Sequence, residues 1–240
     1  VIRSVILTLL VLVMPVQAQT IKLDTEEYPP FNFREGNEYK GVGVEQVKLL
    51  MQDAGLDYSI EMMPWARALS LATTQKNHCV FTTVHNAERH PKFKWVEPLL
   101  TNRTVLVRKA GSGVNPSTIE EAKAYSVGTQ RDDYTQAILE SHQFPKVDLA
   151  TNQTLSLKKL LSGRIDLMPV SEDYFAVMQR KEQAVEVALV LTEDIYSIAC
   201  NPSISDEVVA RMQSSLDKLI ADGTQAMIFE KYGLSGGGTP

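Results

Sequence analysis

The chain is predicted to be an α/β protein with mostly parallel sheets covered by helices on both faces. Three observations lead there. Short apolar runs of strand character alternate with amphipathic stretches of roughly ten residues, the pattern of β–α–β units. A composition 44% hydrophobic and 22% charged over 240 residues suits an ordinary globular protein, with room for one large domain or two modest ones. Finally, a glycine- and proline-bearing loop at 110–116 lies near the middle and marks a boundary between two sheet-bearing lobes, without a long linker.

In the first half, residues 21–24 read as a strand that Tyr28-Pro29-Pro30-Phe31 breaks into a loop. Val44, Val47, Leu50, Met51 and Ala54 recur at helical spacing, and Gly55 ends that helix. Tyr58, Ile60 and Met62 alternate as a strand does, and Pro64 opens a helix running to Ala72. Residues 79–83 and 104–107 complete this half as strands.

In the second half, helices are expected at 119–124, 155–161 and 173–179, and strands at 125–128, 147–150, 165–170 and 195–200. Asp132 or Asp133 caps a helix carrying Tyr134, Ala137, Ile138 and Ser141 on one face. Ser205 caps a long amphipathic helix whose inward residues are Val209, Met212, Leu216, Leu219 and Ile220, and Gly223 stops it. A last helix covers 227–232, and the tail 235–240 reads as disordered.

At the amino terminus, Arg3, an apolar run over 5–14 and Val16-Gln17-Ala18 have the three regions of a secretory signal peptide, expected over 1–18. The run is too short to span a bilayer, and a buried amino-terminal helix is the alternative. Export to the periplasm follows from the signal. A net charge of −5 argues against a nucleic-acid partner. The two cysteines, Cys79 and Cys200, each lie in a strand-like run and are read as buried free thiols, although an exported chain allows one disulfide. With no CxxC and no His/Cys cluster, neither a metal nor a cofactor is expected. Gly41-Val42-Gly43 lacks the third glycine of a nucleotide loop, and no nucleophile elbow, HExxH or Walker lysine is present.

An ordered series of motifs spans nearly all of 19–232. It comprises Tyr28-Pro29-Pro30-Phe31; Gly41-Val42-Gly43-Val44-Glu45; Glu88-Arg89 followed by the stretch Phe93 to Leu99; Ser126-Val127-Gly128; Gly163-Arg164-Ile165-Asp166; and Asp222-Gly223-Thr224 through Lys231-Tyr232-Gly233. In order and spacing these resemble the extracellular solute-binding proteins of the polar amino acid uptake family (family 3), which feed ABC transporters. Pro64-Trp65-Ala66-Arg67-Ala68 is similar to a subgroup carrying a Pro-Trp-x-Arg-Ala motif. The resemblance implies the two-lobe, type II periplasmic binding protein fold with two hinge strands: lobe 1 from 19–106 and 192–234, lobe 2 from 107–191, and hinge closure around ligand.

The resemblance also implies that Arg89 grips the carboxylate of a ligand. A planar guanidinium suits that task through two parallel charge-assisted hydrogen bonds; the competing reading is a surface arginine beside Glu88 and Lys92. The helix start at Asp133 and Tyr134 faces it, where free backbone N–H groups would suit an anion. The acidic Asp132-Asp133 pair departs from the family's Gly-Thr and equally fits ordinary capping. The acid expected to hold a ligand ammonium falls on Ser171, with Glu172 or Asp173 as the nearest substitutes. Tyr28 and Trp65 are expected as aromatic walls, Arg67 as a second cation, and Thr82 and Thr83 as donors at a strand end. His85 is read as a satisfied loop residue.

The expected function is capture of a small polar solute, an amino acid or related carboxylate, by a monomeric, non-enzymatic receptor that meets a membrane ABC permease transiently. A dehydratase-like enzyme on the same fold, with Glu172 or Asp173 as general acid, and a ligand-sensing receptor component are the alternatives.

Overall fold

The computed structural model describes residues 20–234. The signal peptide expected over 1–18 and the tail 235–240 lie outside the described residues.

The chain opens with β1 (Ile21–Thr25), a short hairpin of β2 (Phe33–Glu35) and β3 (Glu38–Lys40), and α1 (Val42–Asp53). There follow β4 (Tyr58–Met62), α2 (Trp65–Thr74), β5 (His78–Val84), a single 3₁₀ turn at His90–Lys92 and the long β6 (Lys94–Lys109). Next are α3 (Ile119–Ala122), β7 (Val127–Gln130), α4 (Tyr134–Ser141), β8 (Val147–Ala150), α5 (Gln153–Leu161), β9 (Leu167–Ser171) and α6 (Glu172–Arg180). The long β10 (Val185–Cys200), α7 (Asp206–Ala221) and α8 (Thr224–Lys231) complete the fold.

Eight strands form one sheet in the order β4-β1-β5-β10-β6-β9-β7-β8. β4, β1 and β5 are parallel at one end; β9, β7 and β8 are parallel at the other. Between them β6 and β10 run antiparallel along their full lengths, from Val185 opposite Lys109 to Cys200 opposite Lys94. Sixteen residues of strand reach roughly 50 Å, so this ribbon belongs to both ends and joins two expected sheets into one. Its register shifts at three places, between Val187 and Leu189, between Val190 and Thr192, and between Tyr196 and Ile198.

The expected elements are present, and the differences have physical causes. The strand expected at 104–107 is the far part of β6, and that expected at 195–200 is the end of β10. Each long strand changes its surroundings along the way, so no single alternation runs through it; Pro98 also interrupts β6. The β2–β3 hairpin was not expected because its short, largely polar strands bury little surface.

Side-chain caps fix most of the helix starts. Asp133, Asn152, Ser171 and Ser205 accept backbone N–H groups from Thr135, Leu155, Tyr174 and Val208 respectively. α1 relies on glycine instead. Gly41 has φ +117°, and a Cβ there would strike the Phe31 carbonyl oxygen at 2.2 Å. A Cβ on Gly43 would meet Thr82 Oγ1 at 2.4 Å, so only glycine lets α1 start against the end of β5.

At one end of the sheet the core contains Leu23, Val47, Leu50, Phe81, Leu99 and Met212; at the other, Leu106, Val127, Leu139, Phe144 and Leu167. Between them lies a third cluster rich in tyrosine, with Tyr28, Phe31, Tyr134, Tyr174 and Tyr196.

The free-thiol expectation is overturned. Cys79 and Cys200 sit opposite each other in the antiparallel β5–β10 pair and form a disulfide, 121 residues apart in sequence and fully buried. Strand register brings them together, and no local sequence signal reports it. Cys79→Ala/Cys200→Ala is expected to lower stability by about 2–5 kcal/mol, read as a lower denaturation midpoint. Wild type in strong reductant should converge on the same value.

Candidate functional site

The carboxyl ends of β1 and β5 meet the start of α4 across the middle of the molecule. Glu26 and Tyr28 follow β1, Thr82 to Val84 end β5, and Arg89 lies just before the 3₁₀ turn, where Asn86 Oδ1 accepts its backbone N–H at 2.9 Å. Trp65 opens α2. From the other end of the sheet come Gln130, at the end of β7, and the turn Asp132-Asp133 leading into Tyr134. Tyr196 of β10 closes the floor. Clustering at strand carboxyl ends is the usual position of ligand sites in α/β sheets.

Arg89 is buried, with 4% exposure. Its Nη1 donates to Thr83 Oγ1 at 3.1 Å and to the Val84 carbonyl at 3.3 Å; its Nη2 donates to the Asp132 carbonyl at 2.8 Å. The guanidinium carbon lies 5.2 Å from the Trp65 ring centroid, and Trp65 Nε1 donates to the same Asp132 carbonyl at 2.8 Å. One backbone carbonyl from the far end thus takes hydrogen bonds from both the arginine and the indole of the near end. Asp132 holds φ +59° to present it, a left-handed conformation that aspartate tolerates better than most residues.

Three further bonds cross the same gap. Gln130 Nε2 donates to Glu26 Oε2 at 2.7 Å. Tyr28 Oη donates to Ser171 Oγ at 2.8 Å and accepts the Ser171 N–H at 3.0 Å. Beneath them, Tyr134 Oη lies 2.9 Å from Tyr196 Oη and 2.8 Å from Thr104 Oγ1, whose other partner is Asp194 at 2.6 Å.

Two buried carboxyls and one buried guanidinium share this cavity: Glu26, Asp133 and Arg89. Burial pushes the Glu26 carboxyl up to about 8, with the nearby Asp133 charge adding to it and the Gln130 hydrogen bond and Arg89 opposing. Burial also raises Asp133, against its hydrogen bonds to Thr135 and the Arg89 charge, and lowers Arg89. The space among these side chains is about 10 Å³, the size of a single water. Glu26 also edges a larger groove of about 580 Å³, walled by Met62, Met63, Leu157, Leu161 and Tyr174. Arg89, Asp132 and Asp133 edge a second one of about 360 Å³.

Of the residues expected from sequence, Tyr28, Trp65, Thr82, Thr83, Arg89, Asp133 and Tyr134 line this one cavity. Arg67 and Asp173 do not. Arg67 sits on the exposed face of α2, about half a turn from Trp65. Asp173 points to the hinge-like ribbon, where Asn102 Nδ2 donates to it; burial raises its carboxyl to about 6. The helix start at Asp133 is already occupied, because its own carboxylate accepts the Thr135 N–H at 3.0 Å. His85 stacks on Trp95 with centroids 3.9 Å apart and lies 2.9 Å from Glu97 Oε2, away from the cavity. Sequence reasoning missed Glu26, Gln130 and Tyr196. An acid directly after the first strand and before Tyr28-Pro29-Pro30 was the available signal for Glu26; Gln130 and Tyr196 carry none.

Among the described residues no group of three or more His, Cys, Asp or Glu side chains could hold a metal ion, and no helix is long and apolar enough to cross a membrane.

This is a binding fold, α/β with a cavity at strand ends between two sheet regions. The chain belongs to the bacterial extracellular solute-binding proteins, family 3, whose model matches residues 21–235. The membership carries a solute-binding role. No curated protein matches the chain. Among solved structures, a histidine kinase sensor domain with similarity to periplasmic binding proteins superposes with TM-score 0.82 at 17% identity, over 89% of this chain and 96% of that one. The arginine-, lysine-, histidine-binding protein ArtJ from Geobacillus stearothermophilus gives 0.81 at 18%, over 92% and 97%. An ancestral arginine-binding protein bound to arginine gives 0.78 at 20%, over 89% and 98%. At these identities the likeness establishes the type II periplasmic binding protein fold.

The raised Glu26 carboxyl has a sign that can be tested. Its folded value, about 8, lies above its ordinary 4.5, so the folded chain binds this proton more tightly than the unfolded chain. The contribution is complete below about pH 4.5 and lost as pH rises toward 8. Glu26→Gln should flatten this slope and exceed wild type in stability at pH 8 by about 1–3 kcal/mol, measured by urea denaturation across the pH range. Equal slopes in the two proteins would contradict burial of Glu26 as described.

Proposed function

We propose that this protein is a periplasmic receptor that captures a small polar solute, an amino acid or related carboxylate, between two lobes and delivers it to an ABC permease. The lobes are 19–106 with 192–234, and 107–191; the β6–β10 ribbon is the hinge between them. The observation that carries the reading is Arg89. Its fork is buried and aimed across the gap, and it engages a backbone carbonyl oxygen, the simplest neutral counterpart of a carboxylate oxygen. A solute carboxylate arriving there meets two donors, Arg89 Nη2 and Trp65 Nε1, that converge on a single oxygen. Charge-assisted hydrogen bonds are roughly twice as strong as neutral ones, so the exchange favours the carboxylate.

Access requires movement, because the present space takes one water. Opening about the ribbon separates Arg89 and Trp65 from Asp132, and Glu26 from Gln130; closing over a solute restores the enclosure. The ligands named for ArtJ and for the ancestral protein, arginine among them, are amino acids and agree with a carboxylate-bearing solute. A sensing role has one observation of its own, the likeness to a histidine kinase sensor domain. In that reading the same closure signals to a partner instead of delivering cargo.

A thermal-shift screen over amino acids, polyamines and organic acids should raise the melting temperature with carboxylate-bearing compounds. For whichever compound binds, Arg89→Ala should lose about 2–5 kcal/mol of affinity by calorimetry, and Arg89→Lys should recover only part because it lacks the fork. Wild-type affinity in Arg89→Ala, with the fold intact by circular dichroism, would remove Arg89 from the site and the reading with it.

A further inference from the structure

Arg89 reaches the cavity from the loop 85–93, which joins β5 to β6. A guanidinium fork depends on angle as well as distance, so the backbone beneath it must be held. At the start of the loop the His85 N–H donates to the Ile195 carbonyl of β10 at 3.1 Å. Just past Arg89, Trp95 Nε1 donates to the His90 carbonyl at 3.2 Å. A chain of side chains ties these two points together. His85 Nδ1 donates to Glu97 Oε1 and Oε2 at 3.1 and 2.9 Å, and His85 Nε2 lies 2.8 Å from His90 Nδ1. The two imidazoles are within 4° of parallel, and His85 also stacks on Trp95. Glu97 is fixed in turn by Ser197 Oγ at 2.7 Å and by Gln213, which bonds its backbone on both sides. A hydrogen-bonded chain Ser197–Glu97–His85–His90 thus runs from β10 to the residue beside Arg89. None of its members lines the cavity.

Resting on the reading of Arg89 as the carboxylate grip, we propose that His85 and His90 are positioning residues for it: their ring-to-ring bond staples the Arg89 loop at neutral pH and releases it in acid, so that solute capture weakens as pH falls. The bond needs one donor and one acceptor. With both rings neutral, His85 gives its Nδ1 proton to Glu97 and its Nε2 accepts from His90 Nδ1–H. A first added proton is accommodated on His85, which the Glu97 carboxylate faces, and His85 Nε2–H then donates to a neutral His90. A second proton sets two N–H groups and two like charges against each other, and the bond is lost. Histidine is the side chain that makes this change between about pH 5 and about pH 8. Glu97 and His90 are the titratable groups in contact with His85. Ser197 of β10 and Gln213 of α7 are neutral, and Asp217 of α7 is bonded to Gln213. Glu88 and Lys92, in the same loop, pair with each other at 2.8 Å.

His90 is exposed, so His90→Ala and His90→Asn should fold normally. Asparagine places an amide near the position of Nδ1 that can donate or accept but does not titrate, so it keeps the staple and removes its pH response. Hydrogen exchange over residues 86–92, corrected for the intrinsic effect of pH, is the first readout. In wild type the loop should be protected at about pH 7.5 and exchange roughly tenfold faster at about pH 5, the worth of one such bond. His90→Ala should be fast at both pH values and His90→Asn slow at both. Calorimetry with L-arginine and L-glutamine as probes should place the affinities in the same order. The cavity acids are present in all three proteins, so differences among them report the histidines. If neither probe binds, slow exchange of the Arg89 Nη protons, assigned by their loss in Arg89→Lys, replaces affinity and must follow that order. Equal exchange in wild type and His90→Ala at about pH 7.5, or a wild-type pH response that persists in His90→Asn, overturns the staple. Exchange that follows the order while affinity does not overturns the positioning role. Binding in Arg89→Ala as in wild type removes the carboxylate reading and the positioning role with it, and leaves the exchange pattern standing.

Discussion

The backbone carbonyl of Asp132 takes a hydrogen bond from Arg89 and another from Trp65. A buried guanidinium loses its hydration, and that loss must be met by acceptors the protein provides. Thr83 and Val84 supply two from its own end of the sheet, and Asp132 supplies the third from the opposite end. The placement of the neighbouring residues answers to this bond. Trp65 lies against the cation, Asp132 adopts its left-handed turn, and α4 begins immediately after it. The third acceptor alone comes from across the gap.

Around that bond the charges do not balance locally. A single cation faces two acids in a space of about 10 Å³, while the polar residues around them, Tyr28, Ser171, Tyr134, Tyr196 and Thr104, satisfy one another. The hydroxyl network is a finished floor; the ionisable groups above it are not. A protein optimised only for stability would replace such groups with apolar packing.

Much of this was legible from residue order. Strand and helix positions follow from apolar periodicity and from capping residues such as Asp133 and Ser205, which act locally and leave local traces. Most of the cavity-lining residues were also within reach, because strand carboxyl ends are where such folds place them. What escaped depends on distant pairing. The Cys79–Cys200 bridge is a consequence of strand register, and the full lengths of β6 and β10 reflect partners that change along each strand. Glu26 was overlooked because an acid beside a turn looks solvated until its burial is known. Arg67 and Asp173 lie outside this cavity because nearness in sequence to Trp65 and Ser171 does not fix the direction of a side chain on a helix.

The register shifts in β10 shape the crossing between the two ends of the sheet. The last two of the three bracket the stretch from Thr192 to Tyr196, which pairs with Leu100 to Thr104 at the crossing between the two ends. An irregularity of this kind bends a strand and increases its local twist, so the ribbon bends on either side of this stretch while the rungs within it stay intact. On one side the Cys79–Cys200 crosslink ties β10 to β5, and on the other the β6–β9 pairing continues the sheet. The ribbon is thus anchored at each end in the strands that flank it. The relative setting of the two ends is therefore written into one continuous hydrogen-bonded ladder and not into a slack connecting segment.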